Sequence, residues 1–341
     1  MYTGKHAYLR PLQPAFIMAG SGEAVTYREL EMRENRLAHL FRKLGLKRLD
    51  HYAIFMENNS RYLEACGAGE RSGLYYTCVN SYLTPVELAY IVNNSQSRVL
   101  ITSVAKLDVA REALKECPKV ELCIVADGAG ESARIVGLRE ATAGLPETPV
   151  PDECIGTAML YSSGTTGRPK GILRPLPEQP PTQPLPIFSF LQKLWQYREG
   201  MIYLSPAPLY HSAPQAAVNL AICEGGTVII MEQFDPEAYL ALVEKWGVTH
   251  SQLVPTMFQD AQAAGSGEET LRPVIAGDRD PRRGALPDRG EGGHDQMVGT
   301  DHPRILRRDR RSGLHCLRQR AMAGAPRQRR QGSARRPAHP R

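Results

Sequence analysis

After Lys245 the chain contains no lysine, and after Phe258 it contains no phenylalanine, tyrosine or tryptophan. Residues 259–341 instead carry 18 arginines among Gly, Pro, Asp and Gln. Such a segment has little apolar surface to set against its chain entropy, which predicts a disordered tail. Nowhere does an apolar run approach the ~18 residues that a membrane-crossing helix needs. The opening MYTGKHAYLRPLQPAF has no apolar stretch ending in small residues, so no secretory leader is expected. The seven cysteines are odd in number and include no Cys-x-x-Cys pair. That argues against a disulfide framework and for reduced thiols in the cytoplasm, with Cys66 and Cys78 in the core. No set of metal-ligating side chains is read.

What is present divides in two. The chain has 341 residues, 42% of them hydrophobic, enough for a large core. Its net charge of +6 splits into +8 over residues 259–341 and −2 over residues 1–258. The first part alternates strand-like and helix-like runs. Thr26 and Glu29 form a capping box before Leu30, Leu37, Phe41 and Leu44 at helical spacing, with Gly45 as the stop. Thr84-Pro85-Val86-Glu87 opens a second helix, and Asp235-Pro236-Glu237 a third that ends at Gly247. A further helix is expected over 214–223. Strands are expected at 51–56, 75–80, 98–102, 120–125, 158–161, 201–204, 227–231 and 249–254. Helices between strands imply crossover connections and largely parallel sheet. Residues 175–186 are proline-rich and read as an extended loop.

The stretch most informative about chemistry is Tyr161–Gly171, YSSGTTGRPKG. It follows an apolar strand and offers the hydroxyls of Ser162, Ser163, Thr165 and Thr166, the glycines Gly164, Gly167 and Gly171, and the ammonium of Lys170. Glycine lets backbone N–H groups approach an anion. Hydroxyls and an ammonium add charge-assisted hydrogen bonds to phosphate oxygens. The order Gly-Arg-Pro-Lys-Gly is not a Walker loop, which ends Gly-Lys-Ser/Thr.

This string resembles the phosphate-binding signature of the adenylate-forming (AMP-binding) superfamily, which includes acyl- and aryl-CoA synthetases, luciferases and peptide-synthetase adenylation domains. Thr26–Leu30 (TYREL), Ser72–Ser81 (SGLYYTCVNS), Pro208-Leu209-Tyr210-His211 and Val254-Pro255-Thr256 are similar to other elements of that superfamily, in its order. The fatty-acyl-CoA synthetase branch fits better than the peptide-synthetase branch. The resemblance implies an α/β fold: the layered, mostly parallel sheets of the large N-terminal domain of these enzymes, incomplete, over residues 1–258. It also implies ATP, Mg²⁺ and coenzyme A, and activation of a carboxylic, fatty acid to an acyl-adenylate and then an acyl-CoA. Ser162, Ser163, Gly164, Thr165, Thr166, Gly167 and Lys170 would hold the ATP phosphates. His211 would sit near the carboxylate as an acyl gate. His250 is read as structural.

Members of the superfamily also carry a Tyr-Gly-x-Thr-Glu-like motif and a catalytic lysine in a small C-terminal domain. Neither is visible here. Residues 301–308, translated back through allowed codons and read one base out of step, spell Ile-Ile-His-Glu-Tyr-Tyr-Ala-Gly. The following codons permit Thr-Glu-Gly. In the same frame residues 322–331 permit Trp-Leu-Ala-His-Pro-Gly-Ser-Val-Gly, another element of the family. We therefore read residues 259–341 as a non-native tail produced by a frameshift near Phe258, and the chain as inactive alone. Two other readings stand beside this one. In one, a separate C-terminal chain completes a split ligase. In the other, the arginine-rich tail binds nucleic acid nonspecifically, although it lacks aromatics for stacking and any recognised module.

Overall fold

The computed structural model describes residues 2–162, 169–265, 304–309 and 313–317, without the side chains of Ser162 and of the last two segments. Among these residues two large sheets and one two-stranded sheet form. The first is β3 (His51–Phe55), β4 (Tyr75–Cys78), β5 (Val99–Thr102), β6 (Leu122–Val125), β7 (Ile135–Gly137) and β8 (Thr157–Ala158), in the order β7-β6-β5-β3-β4-β8. Every pairing in it is parallel. The second is β1 (Pro14–Met18), β2 (Ala24–Thr26), β11 (Ile202–Ser205), β12 (Thr227–Ile230), β13 (His250–Leu253), β14 (Arg304–Asp309) and β15 (Gly313–Leu317). Its order is β15-β14-β13-β11-β12-β1-β2. The four central strands are parallel, and β2, β14 and β15 join antiparallel. A hairpin of β9 (Leu160–Ser162) and β10 (Lys170–Ile172) stands apart.

The helices are α1 (Gly4–Leu9), α2 (Tyr27–Lys43), α3 (Tyr62–Arg71), α4 (Pro85–Asn94), α5 (Leu107–Leu114), α6 (Leu138–Ala141), α7 (Pro186–Trp195), α8 (Ser212–Cys223), α9 (Pro236–Trp246) and α10 (Pro255–Gly265). None of these described helices is long and apolar enough to cross a membrane. Strand alternation sorts them into layers. Tyr52 and Ile54 of β3 face one apolar cluster with α2, α3 and α8, while Ala53 and Phe55 face another with α4 and α5. In the second sheet Phe16, Tyr203 and Val228 face the shared α2–α3–α8 cluster. Ile17, Leu204 and Ile229 face α9 and α10.

Both expected capping boxes are present. Glu29 N donates to Thr26 Oγ1 while Thr26 N donates to Glu29 Oε2, and Thr84 and Glu87 do the same. Helix α3 carries no legible stripe because all its residues are buried. Its glycines let it lie against its neighbours. A Cβ at Gly67 would collide with the Glu34 carboxylate, and one at Gly69 with the Tyr52 hydroxyl.

At the end of α3, Arg71 is fully buried among Glu31, Glu34 and Glu153. Its Nη1 donates to Glu31 Oε1 at 2.8 Å, and its Nη2 lies 3.1 Å from Glu34. Thr3 Oγ1 donates to Glu34 at 2.9 Å and accepts from Arg71, so the cluster also fastens the N-terminal segment. Burial pushes the Glu34 carboxyl up to about 8 despite Arg71. Glu31 is also desolvated, but Arg71's hydrogen bonds and charge outweigh that and lower its pKa.

Three expectations change. The strand read over 158–161 is two strands in different sheets, β8 and β9. The disorder expected from residue 259 does not begin there, because α10 continues to Gly265. In the tail expected to be disordered, β14 pairs onto β13, with His250 opposite Arg307 and Leu253 opposite Arg304, and β15 pairs onto β14. An open strand edge offers backbone hydrogen bonds to any extended segment, which composition does not reveal. The remainder of 266–341 lies outside the described residues, as do Ser163–Arg168.

Candidate functional site

In parallel sheets, ligands bind beyond the carboxyl ends of the strands. Here both sheets bring those ends to one region. A cavity of about 200 Å³ is walled by the segments following β3 (Glu57, Asn58), β4 (Ser81, Tyr82), β11 (Tyr210) and β12 (Phe234). A second, of about 250 Å³, lies between the α7 side chains Phe188, Leu191 and Trp195 and the first turns of α8. Tyr76, Leu160 and Gln252 also line it.

The hydroxyl- and glycine-rich loop leaves from this second cavity. Strand β9 contributes Leu160 to its wall and ends at Ser162, about 7 Å further along an extended strand. Ser162 is paired with Lys170 and Tyr161 with Gly171, so the two ends of the loop are held together. Helix α4 fastens the hairpin. Tyr90 Oη donates to the Pro169 carbonyl at 3.1 Å, and Tyr161 Oη donates to Asn94 Oδ1 at 2.7 Å. Half-burial and the nearby Tyr90 push the Tyr161 phenol up to about 12, so it remains a donor. Lys170 is exposed. Ser163, Gly164, Thr165, Thr166 and Gly167 lie outside the described residues. Paired loop ends, hydroxyls and an exposed ammonium fit a polyphosphate. Among the described residues no cluster of three or more His, Cys, Asp or Glu could hold a metal ion.

His211 is the N-cap residue of α8, at φ −80° and ψ 140°. Its ring meets Tyr210 at 4.5 Å between centroids. Desolvation lowers its pKa, which favours the neutral imidazole near pH 7. His211 lines neither cavity, but Tyr210 before it lines the first and Ser212 after it lines the second. His250 is buried, bonded to Thr249 Oγ1 at 2.9 Å, with its ring 5.6 Å from Tyr197.

Asn58 escaped sequence reasoning, although it sets the His211 turn. From the segment after β3 its Nδ2 donates to the carbonyls of Ala207 (3.2 Å) and Met231 (2.7 Å), and its Oδ1 accepts from Leu209 N–H (2.8 Å). One buried amide thus ties both sheets to the Pro208–His211 turn. Asn58→Leu is expected to destabilise the fold by about 3 kcal/mol, since three buried backbone groups lose their partner. Urea unfolding midpoints would show it, and an unchanged midpoint would contradict the bridging role.

With this geometry in hand, likeness to known proteins can be weighed. A family model described as AMP-binding enzyme matches residues 5–326. The crotonobetaine/carnitine–CoA ligase of Salmonella enteritidis PT4 is 26% identical over 245 residues, covering 69% of this chain and 46% of the relative. The 4-coumarate–CoA ligase CCL1 of Humulus lupulus is 27% identical over 255 residues, covering 71% and 45%. The chain therefore spans about half the length of the curated relatives it matches. A fatty acyl CoA synthetase of Mycobacterium tuberculosis shares the fold at a TM-score of 0.62, 21% identity, and 77% and 50% coverage. A family match that spans most of the sequence, on a fold whose paired strands frame the glycine- and hydroxyl-rich loop, shows that the chain belongs to the AMP-binding enzyme family.

Proposed function

We propose that this chain holds ATP and a carboxylic acid side by side and forms the acid-activating part of an AMP-forming acid–CoA ligase. One observation supports the reading above all: strand β9 lines the second cavity at Leu160 and opens the phosphate-type loop at Ser162. An acid in that cavity would lie next to a nucleotide held by the loop.

A carboxylate is a poor electrophile. Attack of its oxygen on the α-phosphorus of ATP forms the acyl-adenylate and expels pyrophosphate. In this reading Ser162, Ser163, Thr165, Thr166, Lys170 and the backbone of Gly164 and Gly167 hold the β- and γ-phosphates. Mg²⁺ supplies neutralisation of the leaving pyrophosphate. Neutral His211, between the two cavities, accepts or donates one hydrogen bond near the carboxylate without adding charge. The thiol of coenzyme A then displaces AMP. The family's catalytic lysine would come from elsewhere in the enzyme or from a partner chain, since no lysine follows Lys245 here. The test is a calorimetric ATP titration of the chain and of its Thr166→Ala/Lys170→Ala variant; equal affinities would refute the reading.

A further inference from the structure

The second cavity contains a side chain that its surroundings leave unserved. Gln252 sits on β13 with 4% of its surface exposed, and among the described residues neither its Nε2 nor its Oε1 has a hydrogen-bond partner. Its neighbour Ser251 points to the opposite face and donates to the Leu204 carbonyl at 2.8 Å. Gln252 is therefore turned into the cavity that it lines. A buried amide without partners is costly, so folded proteins rarely keep one for packing alone.

The wall near it is polar and fixed. Gln215 Nε2 donates to Tyr76 Oη, Tyr76 donates to Glu70, and Asn219 Nδ2 donates to Glu70 at 2.6 Å. This chain of bonds holds Gln215 and Tyr76, both lining residues, in one orientation. The opposite wall is apolar: Phe188, Leu191 and Trp195. Among the described residues the lining has no carboxylate, and its one charged side chain is the exposed Arg174. A cationic substrate group would find no counter-charge there.

We infer that the acid taken at this site carries an uncharged hydrogen-bonding group, a hydroxyl, carbonyl or amide, which Gln252 receives. The inference rests on the second cavity being the acid site and deepens that reading. A saturated chain would cover Gln252 with methylene groups and leave both its amide atoms unpaired. A hydroxyl can donate to Oε1 and accept from Nε2. Sites built to hydrogen-bond a substrate group discriminate strongly against the analogue that lacks it.

The experiment titrates the full chain, with a saturating non-hydrolysable ATP analogue, against straight C4–C8 acids and their terminal hydroxy counterparts. At one chain length or more, the hydroxy acid is expected to bind at least about 10-fold more tightly than its parent. Gln252→Leu and Gln252→Met are each expected to abolish that preference and tighten the parent acid. Melting temperatures without ligand should stay level or rise, because an unpaired polar group has been removed. Parent acids binding as well as hydroxy acids at every length would overturn the inference and leave the acid site standing. So would a preference that survives both substitutions. If no acid binds the wild type, the acid site falls and the inference with it.

Discussion

Arg71→Met is expected to cost about 3–5 kcal/mol, a large share of the ~5–15 kcal/mol that holds a typical domain folded. The guanidinium is fully buried and faces three carboxylates, of which Glu34 is also fully buried. Removing it leaves the Glu31 charge without its partner and takes one hydrogen bond from the Thr3 hydroxyl, which still donates to Glu34. Glu34→Gln should restore part of the loss, which a double-mutant cycle in urea would measure. Additive effects would mean the two residues are not one unit.

The same cluster gives a pH signature. The folded-state pKa of Glu34, about 8, is raised above its unfolded value of 4.5. Its contribution is therefore fully present below pH 4.5 and is lost as pH rises through about 8. Glu31 works in the opposite sense. Its pKa is lowered, so its contribution disappears as pH falls. Wild-type stability should decline as pH rises from 4.5 to about 8, and Glu34→Gln should flatten that slope.

The second large effect concerns the loop. Thr166→Ala/Lys170→Ala is expected to weaken ATP binding about 100-fold or more, because the proposed site would lose two charge-assisted bonds to phosphate. Lys170 is exposed, at the hairpin base, so its loss should leave the unfolding midpoint unchanged. Lys170→Arg, which keeps the charge but not the compact ammonium, should fall between the two. A loss of affinity accompanied by a matching loss of stability would point to a misfolded hairpin rather than a missing ligand contact.

Which features could be read in advance follows from how local their causes are. The capping boxes at Thr26 and Thr84 were legible because the partner stands three residues away. Strands β3, β4, β5 and β6 were legible as short apolar runs between turn residues. Helix α3 was not, because burial on every side erases periodicity, and its glycines, usually breakers, serve close packing. Strand β1 begins at Pro14, three residues after Pro11, and looks like loop, yet β12 and β2 flank it. The division of 158–161 between two sheets depends on partners far away in sequence. So does Asn58, whose partners lie 149 to 173 positions along the chain. The loop's chemistry could be read from residue types alone. Its setting could not: the anchoring tyrosines Tyr90 and Tyr161 act across 79 and 67 positions. Gln252 looked like one polar residue in a strand. Only the structure shows that it lines a cavity and that its amide has no partner among the described residues.

The account's core is that nucleotide and acid occupy adjoining places, so that one compound spanning both should profit from both. The direct measurement is calorimetric titration with a stable acyl-adenylate mimic, an acyl-sulfamoyl adenosine, against AMP and the free acid separately. Bridged sites predict a mimic at least about 100-fold tighter than AMP. A mimic no tighter than AMP would contradict the arrangement.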